Sequence, residues 1–142
     1  MKIKLKAVFL GFLVDIVGSF TVGLLIISML LILYCILQGI PIDEVEGFIV
    51  SSFFTQIVAI TIGLYFTFLG GVVAGKIAKS NEILNASAVG IIGVLCYLVF
   101  WTNETPLLYN LFALIFTMPA AMLGGKLSMQ KSDQPSNSPD NV

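Results

Sequence analysis

Residues 7–37 form a run of roughly 30 positions with one charged side chain, Asp15, where an α-helix needs only ~20 to cross the hydrocarbon core of a bilayer. Such a run has no polar face to give to water, and in lipid a helix satisfies its own backbone donors and acceptors. Three further apolar runs follow, over residues 48–78, 83–101 and 107–127. The sequence therefore predicts an all-α membrane protein. Its four transmembrane helices, over residues 7–38, 48–78, 83–101 and 107–127, form two tandem helical hairpins within one domain of residues 1–127. The 58% hydrophobic and 11% charged composition agrees, since a soluble domain averages ~45–50% and ~25%.

Lys2, Lys4 and Lys6 ahead of an apolar run have the order of a secretory leader, but a leader's apolar region is only ~7–15 residues. The segment is expected to be retained as the first span. At 1.5 Å per residue it is roughly 45 Å long against ~30 Å of hydrocarbon, so it must tilt, bend or project; Gly18, Ser19 and Gly23 are its natural bending points. Gly39 and Pro41 end it ahead of an acidic turn with Asp43, Glu44 and Glu46. Ser80 or Asn81 is expected to cap the third span, with Glu82 in its first turn. Trp101 closes that span as an interfacial anchor, Pro106 suits the first turn of the fourth, and Pro119 predicts a kink inside it. From Ser128 the composition turns to Lys, Ser, Asp, Gln, Pro and Asn, which predicts a disordered cytoplasmic tail over residues 128–142.

With four spans, all seven basic residues, Lys2, Lys4, Lys6, Lys76, Lys79, Lys126 and Lys131, fall on one side. The opposite loops hold Asp43, Glu44, Glu46 and Glu104. By the positive-inside rule both termini and the middle turn are cytoplasmic. The expected arrangement is a multi-pass membrane protein.

The most patterned residues are small ones. Gly71 and Gly75 form a G-x-x-x-G pair flanked by Gly70 and Ala74, and Ala120, Ala121, Gly124 and Gly125 make a looser copy at the end of the fourth span. Small residues four apart let helix backbones approach closely in lipid, so these eight are the expected helix-packing residues. Lys76 and Lys126 then mark the interface as snorkelling anchors. The entries Ala7-Val8-Phe9-Leu10-Gly11 and Ala86-Ser87-Ala88-Val89-Gly90 match, as do the exits Ala74-Gly75-Lys76-Ile77 and Gly124-Gly125-Lys126-Leu127, which suggests a duplicated hairpin of parallel topology. The stretch from Gly70 through Lys79, running on through Asn81-Glu82-Ile83-Leu84-Asn85-Ala86-Ser87-Ala88-Val89-Gly90, resembles a group of small four-helix bacterial membrane proteins of unknown function. Asn85 stands where a histidine is common in that group, and the resemblance implies a bacterial inner-membrane protein without an activity to carry over.

Asp15 lies roughly 13 Å beyond Lys6 along a helix. An acid at that depth costs at least ~2.5–3.5 kcal/mol, which makes it a functional-site hypothesis by default. Gly11, Asp15 and Gly18 share one helix face, so the acid is expected to face other helices, either as a proton or cation site or as a structural acid bonded to Ser or Thr. Gln56 and Asn110 are amides within spans two and four that serve as interhelical glue or extend a polar pathway from Asp15, and Lys76 or Lys126 is a candidate partner for the acid. Cys35 and Cys96 sit in apolar runs without a C-x-x-C spacing, as buried thiols. The chain has no histidine, no nucleotide loop, no metal-ligand cluster and no arginine or basic stripe, so no enzyme activity, cofactor or nucleic-acid partner is expected. The expected partners are the lipid bilayer and either a second copy or another membrane protein. Two functions remain: an interaction or assembly protein built on small-residue packing, and alternatively a small oligomeric transporter or channel using Asp15. The orientation is testable: in a Cys35→Ser, Cys96→Ser background, Lys76→Cys and Lys126→Cys should react with an impermeant maleimide from the same side of a sealed vesicle, and labelling from opposite sides would refute the topology.

Overall fold

The computed structural model describes residues 2–39, 41, 52–99 and 107–132, and these residues form four helices: α1 (Leu5–Gln38), α2 (Phe53–Ala78), α3 (Glu82–Val99) and α4 (Leu107–Ser132). All four are long and apolar enough to cross a membrane. At 34 residues α1 is roughly 51 Å long, more than the hydrocarbon thickness, and it runs through Gly18 and Gly23 without interruption. Its end is set by Gly39, whose φ of 65° is the left-handed conformation that a glycine takes without strain and whose N–H donates to Cys35 O at 2.9 Å.

The second helix begins at Phe53, after Ser52 in extended backbone; the expected start at Phe48 lies outside the described residues, as do Trp101, the acidic turn residues Asp43, Glu44 and Glu46, and residues 133–142. It closes on Lys79, also left-handed with φ of 50°. The turn leads into α3 with Glu82 in its first turn as expected, and Asn81 O accepts from the Asn85 N–H at 3.1 Å. Ser80 Oγ donates back to Ala78 O at 3.3 Å, while the Asn85 amide donates to the carbonyls of Ser80 at 3.3 Å and Asn81 at 3.0 Å. Asn85 Oδ1 accepts from the Lys4 N–H at 2.8 Å, and Lys4 Nζ donates to Ala78 O. One fully buried amide and one lysine thus tie the start of α1 to the α2–α3 turn, and the ammonium sits where the α2 dipole is negative. At the other end of the sequence, α4 continues through Pro119 and past residue 127, where the sequence reading places the end of the span. Ser128, expected in the tail, is instead buried beside Gly75, and its hydroxyl donates to Gly125 O at 2.7 Å.

α1 and α2 run antiparallel, with Lys4 at Ala78, Gly11 at Gly70 and Asp15 at Thr67. α3 and α4 do the same, with Gly125 against Glu82 and Ile83 and with Tyr97 bonded to Asn110. α2 packs on all three other helices, whereas among the described residues α1 and α4 do not meet. These pairings bring Lys4, Lys76, Lys79 and Lys126 to one end of the bundle, all exposed.

Small residues make the contacts. A Cβ on Gly11 would come within 2.5 Å of Gly70 O, and one on Gly71 would strike Ala121 O. Neighbouring residues on a helix point about 100° apart. The Gly70–Gly71 pair therefore lets α1 approach one side of α2 and α4 the other at the same level. Gly124 and Gly125 repeat the device on α4: the first faces Phe68 O of α2, the second lies 2.6 Å from Ala86 Cβ of α3 once a Cβ is added. The buried apolar cluster is correspondingly small, Val8, Ala74 and Val89 with Phe12, Ala88 and Ile92 against it. Large apolar side chains such as Phe20, Met29, Ile36, Phe53, Leu107 and Ile115 point outward, as expected when the solvent is lipid and hiding them gains nothing. Gly71→Ala and Gly124→Ala should each lower stability by about 1–3 kcal/mol in a reversible detergent unfolding titration, because the new methyl meets backbone. Gly23→Ala, which has nothing within 4 Å, should stay within about 0.5 kcal/mol of the parent.

Candidate functional site

Asp15 is carried on the face of α1 that also presents Gly11, and its neighbours are chosen for room and for donors. The missing side chain at Gly70 allows α2 to lie against the Asp15 Cβ, at 3.2 Å from where a Gly70 Cβ would stand. That proximity brings in Thr67, one turn earlier on the same face of α2, whose Oγ1 donates to Asp15 Oδ1 at 3.0 Å. Ser19, one turn on along α1, donates to the same oxygen at 3.4 Å. Asp15 is 6% exposed and Thr67 5%.

The second oxygen has a different environment. Both hydrogen bonds land on Oδ1, and among the described residues every buried side-chain nitrogen or oxygen has a partner, so Oδ2 keeps its accessible surface. It looks past Gly93 of α3, where an added Cβ would stand 3.7 Å away. Beyond it lies a cavity of about 550 Å³ to which all four helices contribute, with Asp15 in its wall. Its lining is mainly apolar, including Ile16, Phe20 and Leu64, and its polar groups are Ser19, Thr67, Cys96, Tyr97, Tyr109 and Thr117. Towards the lysine end the space is shut by the contacts of Gly11, Gly70, Gly71 and Gly90. Asp15 therefore lies at the boundary between a dry, close-packed half and an open half.

Magnitudes decide what this environment does for the carboxyl. Two side-chain hydrogen bonds in a bilayer offset about 0.6 kcal/mol each, against an insertion cost of at least ~2.5–3.5 kcal/mol for the charged acid at the helix centre. The hydroxyls orient the group without compensating it.

The structure does not gather the three residues that the sequence placed in one site. Asn110 is 2% exposed, is not in the cavity wall, and accepts from the OH of Tyr97, which is. Gln56 lies roughly 16 Å along α2 from Thr67 and is not in the cavity wall. Lys76 and Lys126 are exposed at the lysine end, with Lys76 about 13 Å along α2 from Thr67, so neither serves as a partner for the acid. The packing residues behave differently: Gly70, Gly71, Ala74, Gly75, Ala121, Gly124 and Gly125 are all buried, and Ala120 is half-buried. Sequence reasoning missed Gly93, Tyr97 and Tyr109 as site residues. One signal was present, since Thr67 falls on the stripe that continues through Gly70, Gly71, Ala74 and Ala78 of α2.

Among the described residues no three His, Cys, Asp or Glu side chains come together as a metal site. Cys35 and Cys96 are free thiols, the first buried and the second half-buried in the cavity wall. No family model, curated protein or solved structure matches the chain. The accessible Oδ2 is open to chemical test: dicyclohexylcarbodiimide, an apolar carboxyl reagent that enters the bilayer, should add once at Asp15 as read by peptide mass mapping, and Asp15→Asn should abolish the adduct.

Proposed function

We propose that this chain is a small multi-pass protein of the bacterial inner membrane that binds, and exchanges across the bilayer, a proton or cation at Asp15. The observation that carries this reading is the carboxylate Oδ2 facing a cavity that all four helices line, at the depth where the close-packed half ends. The small residues that the sequence singles out make their contacts within the chain, which weighs against their being a free docking face for another protein. Their role in this reading is to hold the lysine half closed while the other half stays open around Asp15. The lysines at that end favour a cytoplasmic placement for both termini and the α2–α3 turn, with the cavity in the half nearer the opposite surface.

A duplicated hairpin fits the same arrangement. In the register set by the matching exits, Gly71 corresponds to Ala121 and Thr67 to Thr117. Gly71 and Ala121 stand against each other at the α2–α4 crossing, as equivalent positions do at a two-fold axis. A second reading is an assembly protein, which the exposed apolar faces of all four helices would allow in contact with a second copy.

Flux decides between them. In proteoliposomes with an interior pH dye and an imposed potential, the protein should raise proton flux above protein-free vesicles. Asp15→Asn should return it to background, at least a tenfold loss, and Asp15→Glu should keep part of it. Equal flux from the parent and Asp15→Asn, or no flux from either, would leave Asp15 as a structural acid and the chain as an assembly protein.

A further inference from the structure

The shape and lining of the cavity say more about what Oδ2 meets. A site for a bare inorganic cation surrounds the ion with oxygens, at six to eight ligands for calcium and near-octahedral geometry for magnesium. Here the wall holds one carboxyl, and hydroxyls in it are turned to other partners, Ser19 and Thr67 to Asp15 Oδ1, Thr117 to Ala113 O and Tyr97 to Asn110, while the remainder is mainly hydrocarbon and aromatic ring. The volume of about 550 Å³ is far more than a dehydrated metal ion fills and falls within the ~300–1,000 Å³ of small-molecule pockets. Phe12 of α1, Tyr97 of α3 and Tyr109 of α4 line it from three helices. Aromatic rings attract a cation that carries an apolar body and has little hydration to lose. Among the described residues Asp15 is the one charged side chain in the wall, so the charge preference is for a single positive charge.

We infer that the cavity is a binding site for a monovalent lipophilic organic cation, with Oδ2 of Asp15 as counter-ion and the Tyr97 and Tyr109 rings beside the apolar body. This rests on the reading of Asp15 as an exchanging carboxyl. Bound proton and bound organic cation then exclude one another at a single oxygen, which couples the entry of one to the departure of the other. Gly93 belongs to this site: its bare backbone leaves the approach to Oδ2 clear, and a methyl there would make only ordinary contact, 3.4 Å from Thr117 Cγ2 and 3.7 Å from Oδ2.

Tetraphenylphosphonium is the probe, titrated into the full-length protein in detergent and in lipid nanodiscs by calorimetry and equilibrium dialysis. Saturable binding is expected, weakened at least tenfold by Asp15→Asn, retained within about threefold by Asp15→Glu, and accompanied by proton release. Tyr109→Leu and Gly93→Leu, which change the wall and leave the carboxyl in place, should weaken it severalfold, while Phe112→Leu, exposed and outside the wall, should not. Binding that Asp15→Asn leaves unchanged would mean that an acyl chain or any apolar body fills the cavity, and would overturn the inference. Asp15-dependent proton flux without tetraphenylphosphonium binding would overturn it too, while leaving the reading of Asp15 as an exchanging group intact. Neither flux nor binding would remove both.

Discussion

Backbone-to-backbone contact at glycine is the interaction on which this structure depends. In lipid, Leu and Phe are as well solvated outside a bundle as inside it, so helices associate through close van der Waals approach and a few polar links. The protein meets that condition by putting two glycines side by side on each of its descending helices. Gly70 and Gly71 admit α1 and α4 to two sides of α2, and Gly124 and Gly125 admit α2 and α3 to two sides of α4. Four helices are thereby fixed at nearly one level, near the lysine end. A single glycine on each helix would have served one neighbour only.

That arrangement has a consequence further along the helices. Away from the glycine level a cavity opens that all four helices line. Asp15 sits at the transition, close enough to Gly70 to bond Thr67 and far enough along to meet the cavity with its other oxygen. The same carboxylate one turn earlier would be enclosed by the glycine contacts; one turn later it would face ring and hydrocarbon without Thr67 beside it. Position along the helix, more than the identity of the acid, gives the site its character.

The two halves of the chain contribute unequally. Under the proposed duplication, Asp15 corresponds to Val94, so the first hairpin holds the charge and the second holds none at that level. Tyr97 and Tyr109 come from the second hairpin, where the first has Gly18 and Ala59. Packing is unequal too, since α2 meets α3 and α1 does not meet α4. Under that duplication the chemistry is divided: the first hairpin brings the carboxyl with Phe12 and Phe20, the second the two tyrosines.

Hydropathy and small-residue spacing settled, from the sequence alone, that there are four helices able to cross a membrane and that Gly70, Gly71, Gly75, Gly124 and Gly125 pack between them, because both depend on local composition and helical period. Asp15 stood out for the same reason, as a charge that its own segment cannot solvate. The partners of that acid were not legible. Gln56 and Asn110 share its polarity but lie at other levels, and Thr67, Gly93 and Tyr109 reach it or its cavity only because glycine contacts set how far each helix slides past its neighbour. The end of α4 was missed likewise, since Ser128 reads as tail by composition and is buried only because Gly75 leaves space for it. Periodicity fixes which face of a helix is turned inward; the axial offset between helices, and with it the site, is decided by which backbones can touch.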